Sequence, residues 1–88
     1  MKINNKFVLR QIAQSWIIFS LEQSQEDSCV MSLNEAGALL WQRLEKGCSL
    51  EELAGVLVEE YALPVEQAQA DAAEFVEKLR AAHCIEEL

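Results

Sequence analysis

The chain has 88 residues, 51% of them hydrophobic, and 15 acidic against 7 basic side chains give it a net charge of −8. This length predicts one small domain over residues 1–88, with little room for both a core and a deep catalytic cleft, so we expect a protein that is not an enzyme. The excess of acid disfavours binding to nucleic acid or to an anionic membrane, because both require clustered lysines and arginines.

The first third of the sequence is dense in β-branched and aromatic residues, which predicts β-strands. The two richest runs are residues 7–13 and 16–21, separated by a predicted tight turn at residues 14–15. A polar connection over residues 22–28 then leads to a short third strand, Cys29–Leu33, which we place at an edge of the sheet. We expect the three strands to pair in an antiparallel arrangement.

From Asn34 onward the apolar residues recur at helical spacing. The side chain of Asn34 is suited to capping a free backbone N–H at the start of the first helix, and Gly47 is suited to the left-handed position at its end. The predicted buried stripe of this helix is Ala36, Leu39, Leu40 and Leu44.

A capping box predicts the start of the second helix, with Ser49 as the N-cap and Glu52 at the reciprocal position. The predicted buried stripe is Leu50, Leu53, Ala54, Leu57 and Tyr61. Pro64 fits the first turn of a third helix, which we expect to end near Ala82. Its predicted apolar face is Val65, Ala68, Ala72, Phe75, Val76 and Leu79.

The predicted order is therefore a three-stranded antiparallel sheet followed by three α-helices, an α+β domain that is winged helix-turn-helix-like. The short connection over residues 62–64 gives the second and third helices this character. Their charge does not fit DNA. Residues 1–21 carry a charge of +3, whereas residues 22–88 contain 4 bases against 15 acids and carry −11.

The sequence offers no clear motif for catalysis or metal binding. Cys29, Cys48 and Cys84 are an odd number of widely spaced cysteines, which do not form a disulfide framework or a CxxC pair. Pairing of a cysteine with His83 as a nucleophile has no local support, and the adjacent glutamates fall on or near predicted polar helix faces. We therefore expect no metal and no cofactor.

The expected location is the cytoplasm. No export signal is recognisable near the N-terminus, and widely spaced cysteines fit a reducing compartment. The longest apolar runs have four residues, far short of the roughly 20 that a membrane-spanning helix needs.

Several segments, taken in order, resemble the PqqD family. Residues 33–41 are similar to its signature, with a Leu-Asn-Glu start, small residues and then an aliphatic–Trp pair. Residues 47–53 look like the glycine turn and the start of the family's second helix, and residues 59–61 match the end of that helix. Residues 65–79 resemble its third helix, so that the similarity covers about residues 30–85.

This resemblance implies a RiPP recognition element, which binds the leader segment of a ribosomally synthesised precursor peptide. Such a module presents the peptide to a modifying enzyme, for example a radical S-adenosylmethionine enzyme or a leader peptidase. In the family, the leader adds beside the third strand and lies against the third helix, a mode in which free backbone groups of an edge strand supply the affinity. The peptide-binding residues implied here are Cys29, Val30, Met31, Ser32 and Leu33 of the strand and Ala72, Phe75, Val76, Leu79 and Arg80 of the helix.

Three other functions remain open. The chain could be an acidic winged-helix domain for another protein partner, or a winged-helix transcription regulator. It could also be an acyl-carrier-like protein modified at Ser28, although residues 27–29 depart from the Asp-Ser-Leu motif of such carriers. A homodimer is compatible with a free edge strand. Lys78 is expected to pair with Glu74, and Trp16 and Trp41 are assigned to packing.

Overall fold

The computed structural model describes residues 1–21 and 29–86. The predicted connection over residues 22–28, and with it Ser28 of the acyl-carrier hypothesis, lies outside the described residues. The elements in chain order are β1 (Lys2–Ile3), β2 (Phe7–Ile12), β3 (Ser15–Ser20), β4 (Cys29–Leu33), α1 (Glu35–Lys46), α2 (Leu50–Tyr61), α3 (Val65–Ala81) and β5 (Ile85–Glu86). The predicted α+β class is confirmed, whereas its winged-helix arrangement stays a prediction. No helix among the described residues is long and apolar enough to cross a membrane.

The main sheet contains three antiparallel strands in the order β2-β3-β4. The hairpin between β2 and β3 closes at the pair Ile12 and Ser15, so its turn consists of Ala13 and Gln14. The prediction of a turn at residues 14–15 was wrong by one residue. Ala13 takes a positive φ of 56° in this two-residue turn. Such turns are usually recognised by glycine or asparagine, so an alanine at this position gives no sign of the turn in the sequence.

The predicted starts of α1 and α2 are confirmed, whereas Pro64 is the residue before α3 and not part of its first turn. The Asn34 side chain accepts a hydrogen bond of 2.7 Å from the backbone N–H of Gly37. Ser49 and Glu52 form the full capping box at the start of α2. The end of α3 at Ala81 is one residue from its predicted position.

The core lies between the inner face of the sheet and the three helices. The largest side chains that are fully buried in it are Ile18, Trp41, Leu44, Leu53, Leu79 and Cys84. Three residues predicted in buried stripes are instead exposed, at 39% for Leu50, 41% for Tyr61 and 58% for Val65. Leu50 and Val65 begin α2 and α3, and Tyr61 ends α2, where the apolar stripe extends beyond the packed layers.

A second, two-stranded sheet joins the two ends of the described chain. Ile3 of β1 pairs with Ile85 of β5, and the Asn4 N–H donates to the Cys84 carbonyl at 2.7 Å. Met1 and Cys48 also exchange backbone hydrogen bonds, which ties the first residue to the loop between α1 and α2. Strands of two residues have no readable periodicity, so the sequence did not predict this sheet.

Candidate functional site

The strand β4 lies at an edge of the main sheet, with β3 as its neighbour. The direction of its backbone groups follows from the alternation of hydrogen-bonded and non-bonded pairs in antiparallel sheets. The N–H of Leu21 donates to the Lys6 carbonyl at 2.7 Å, which makes these two residues a hydrogen-bonded pair. Hydrogen-bonded pairs recur at every second residue along the register, so Ile18 and Trp16 belong to the non-bonded pairs with β2. Their backbone N–H and C=O groups therefore point toward β4.

Ser32 therefore presents its backbone to the open edge. Met31 lies opposite Ile18 and Leu33 lies opposite Trp16, so the backbone N–H and C=O groups of Met31 and Leu33 form hydrogen bonds with β3. Ser32 lies between them, and its N–H and C=O point away from the sheet. An extended peptide can form hydrogen bonds with such groups.

A β-bulge limits this edge toward the start of β4. The register passes from Ile18 and Met31 to Phe19 and Cys29, so that Val30 is the extra residue without a partner on β3. Regular pairing of an added strand is consequently best defined near Ser32, at the end of β4 that leads into α1. The side chains of Met31 and Leu33 are half-buried and pack against the core, whereas Ser32 is exposed.

An apolar pocket of about 390 Å³ opens where β4 passes into α1, and we call it the edge pocket. It lies between the first turns of α1, the end of α2 and the middle of α3. Its apolar lining is Ala36, Gly37, Leu40, Leu57, Leu63 and Phe75. Its polar lining is Asn34, Tyr61, Asp71, Glu74 and Lys78.

Gly37 brings the helix close to the strand beside this pocket. A Cβ atom at Gly37 would lie 3.2 Å from Cβ of Leu33 and 3.3 Å from Oδ1 of Asn34, both closer than ordinary contacts. The absence of a side chain thus lets the first turn of α1 pack tightly on the end of β4. Gly37, one of the small residues after the Leu-Asn-Glu start, therefore has a packing role.

The rim of the edge pocket carries charge of both signs. Asp71 and Glu74 contribute two carboxylates, and Lys78 lies 3.5 Å from Glu74, which confirms the predicted i,i+4 pair. All three residues are exposed. The arrangement suits a peptide that places an apolar side chain in the pocket and a neutral or basic group near the rim.

The helix residues named from the sequence lie on different sides of α3. Phe75 lines the edge pocket, close to the end of β4. Ala72, Val76 and Leu79 are buried in the core and offer little side-chain surface to a ligand. Arg80 is exposed, pairs with Glu77 and lines a different cavity beside Met1, so the structure does not bring it to the edge pocket.

Sequence reasoning missed several residues of this pocket. Asp71 and Lys78 lie four residues before and three residues after Phe75, which the sequence analysis named, so the three share one flank of α3 and this spacing was readable. The contributions of Leu57, Tyr61 and Leu63 could not be read from the sequence, because they depend on how α2 packs against α3.

The described thiols do not support nucleophilic chemistry. Burial raises the pKa of the Cys84 thiol to about 11, and burial is also the main cause of the raised pKa of Cys48. Both thiols are therefore protonated at neutral pH, whereas a cysteine nucleophile reacts as the thiolate. The described residues also include no cluster of three or more His, Cys, Asp or Glu side chains that could hold a metal ion.

An open strand edge beside an apolar pocket is the geometry with which strand-adding peptide-binding modules work. The sequence model of the family described as Coenzyme PQQ synthesis protein D (PqqD) matches residues 16–85. The chain belongs to the PqqD family, and the resemblance found in the sequence is confirmed.

Two solved structures share the fold. The first is TbiB1 in complex with the TbiA(beta) leader peptide, with a TM-score of 0.80, 23% sequence identity, and coverage of 100% of this chain and 98% of that chain. The second is lasso peptide synthetase B1 complexed with the leader peptide, with a TM-score of 0.70, 23% identity, and coverage of 91% and 89%. No curated protein sequence matches the chain significantly.

Proposed function

We propose that this protein is a leader-peptide-binding adaptor. It binds the leader segment of a ribosomally synthesised precursor peptide as an added strand on β4 and presents that peptide to a modifying enzyme, such as a radical S-adenosylmethionine enzyme or a leader peptidase. The adaptor itself is non-catalytic, needs no cofactor and acts in the cytoplasm. The observation that carries this proposal is the outward-facing backbone of Ser32 beside the edge pocket.

The comparisons support the proposal. The chain belongs to the PqqD family, and the two proteins with the same fold have structures that contain leader peptides. A role as a DNA-binding regulator lacks comparable support. The helix α2 contains four glutamates and no base, so it could not neutralise phosphates.

The register of β4 predicts on which face of the sheet each side chain of a bound peptide would lie. One peptide residue would exchange its backbone hydrogen bonds with Ser32, and this residue would place its side chain on the outer face of the sheet. The residues before and after it would point to the inner side, where Met31, Leu33 and the edge pocket lie. Backbone hydrogen bonds would supply affinity, and an apolar residue in the pocket would supply specificity.

The first test removes the outward-facing N–H by Ser32→Pro. The matched control, Ser32→Ala, keeps this N–H and shortens only an exposed side chain. Fluorescence polarisation would measure binding of the labelled leader peptide of a precursor encoded beside this protein. We expect micromolar or tighter binding for the wild type and Ser32→Ala, and at least tenfold weaker binding for Ser32→Pro. Val30 is a poorer target, because proline is tolerated at bulges.

A second measurement leaves the protein unchanged. Leader peptides N-methylated at one residue at a time would lose affinity at alternate positions, since only every second residue of an added strand donates to β4. Equal affinity for all the methylated peptides would show that no strand is added, even if Ser32→Pro failed to fold. No binding of the wild-type protein to any such leader would contradict the adaptor function itself.

A further inference from the structure

The side of the main sheet that faces away from the helices carries an apolar patch. Ile18 lies on the inner face and is fully buried, so the residues that alternate with it lie on the opposite side. We call this patch the outer sheet face and define it as Val8, Arg10, Ile12, Ile17 and Phe19. None of its four apolar members belongs to the core or packs against it, and Ile12 is 53% exposed.

The charge of this face differs from that of the rest of the molecule. Arg10 lies between Val8 and Ile12 on β2 and opposite Ile17 on β3. Its side chain is exposed, and its guanidinium donates to the neighbouring Leu9 carbonyl at 3.1 Å. The strands β2, β3 and β4 contain no acidic residue, although the protein carries 15 acids. The outer sheet face is thus apolar and cationic on a protein with a net charge of −8.

We infer that the outer sheet face docks the modifying enzyme, through an apolar surface of that enzyme that carries a carboxylate. This inference rests on the proposed function, because it supplies the adaptor with a second partner. A carboxylate opposite Arg10 would form a charge-assisted hydrogen bond in a surface otherwise closed to water. The apolar side chains around it would provide the area that excludes water.

Charge argues against a second copy of this chain as the occupant. Two outer sheet faces packed symmetrically would bring two Arg10 guanidinium groups into one interface without a carboxylate from either sheet. Like charges in a poorly hydrated interface are costly. A partner with the opposite charge avoids this cost.

The position of the face also suits transfer of a peptide. A leader strand added to β4 extends the same sheet at its edge, and the edge pocket lies on the inner side. The outer sheet face therefore stays accessible while the leader is bound. An enzyme docked there would lie next to the peptide as it leaves the sheet, so the adaptor could hold both partners at once.

The test compares two charge reversals that change the net charge equally. Arg10→Glu alters the outer sheet face, and Arg43→Glu alters an exposed arginine of α1. Calorimetry would measure the Kd of each full-length variant for the purified modifying enzyme encoded beside this protein, without peptide, and separately for the leader peptide. We expect Arg10→Glu to weaken enzyme binding at least tenfold, Arg43→Glu to change it less than twofold, and neither to change leader binding more than twofold.

Other outcomes separate this inference from the proposed function. Enzyme binding that is unchanged by Arg10→Glu, equally weakened by Arg43→Glu, or absent from the wild type would overturn the docking surface and leave leader binding untouched. Absence of leader binding would instead contradict the adaptor function. Sedimentation of the protein alone supplies a further check. A dimer that Arg10→Glu dissociates would identify a second copy as the occupant and overturn the inference.

Discussion

In the proposed complex, Ser32 and the edge pocket would contribute to peptide binding in different ways. Ser32 contributes backbone groups, which any extended peptide can use, so it cannot distinguish one sequence from another. Selection has to come from side chains, and the edge pocket is an apolar cavity beside the end of β4. Its size, set in part by the small residues Ala36 and Gly37, should decide which leader side chain fits.

Filling the edge pocket tests this division of roles without removing core contacts. Ala36 is half-buried and lines the pocket, and methionine is a good helix former that would occupy the space. We expect Ala36→Met to weaken leader binding at least tenfold while the free energy of unfolding falls by less than about 1 kcal/mol. The matched control is Ala70→Met on the exposed side of α3. Leader binding by Ala36→Met at wild-type affinity would exclude the pocket from recognition.

At the level of elements, the helix ends carry both well-formed and poorly formed caps. The start of α2 has a complete capping box, but its end has Ala62 in the left-handed conformation, with a φ of 53°. Glycine takes this conformation without the steric cost that a Cβ atom imposes. The α2–α3 connection therefore contains strain that a single substitution can relieve.

We expect Ala62→Gly to raise the free energy of unfolding by about 0.5–1 kcal/mol, because relief of this strain exceeds the added freedom of the unfolded chain. Ala70→Gly, in the middle of α3, should lower the free energy of unfolding by about 1 kcal/mol. Urea unfolding followed by circular dichroism would measure both. Destabilisation by both glycines would show that the left-handed Ala62 is not strained.

The elements were predictable where a local signal fixes them. Asn34 and the Ser49–Glu52 box mark helix starts by their own side chains, and their hydrogen bonds are present. The turn at Ala13 and the two-residue strands were not predictable, since a positive φ at alanine and a pair of short strands have no sequence signature. The edge pocket is a property of three packed helices, so the sequence indicated Phe75 and the strand but not the whole lining.

At the scale of the whole molecule, the small second sheet closes the domain by pairing strands from near the two ends of the described chain. The strand β1 reaches β5 near the other end of the described chain, and Met1 bonds to Cys48 between α1 and α2. Ile3 of this strand is buried in the main core. The first residues are thus part of the folding unit, although they lie outside the range matched by the family.

Removal of the Ile3 side chain tests whether this closure stabilises the domain. We expect Ile3→Ala to lower the free energy of unfolding by about 2–4 kcal/mol, because it leaves a cavity in the core and weakens the link between β1 and β5. Lys2→Ala, on the exposed side of the same strand, should change it by less than about 0.5 kcal/mol. Urea unfolding followed by the fluorescence of buried Trp41 measures both. Equal stability of the two variants would mean that β1 is attached to the domain without stabilising it.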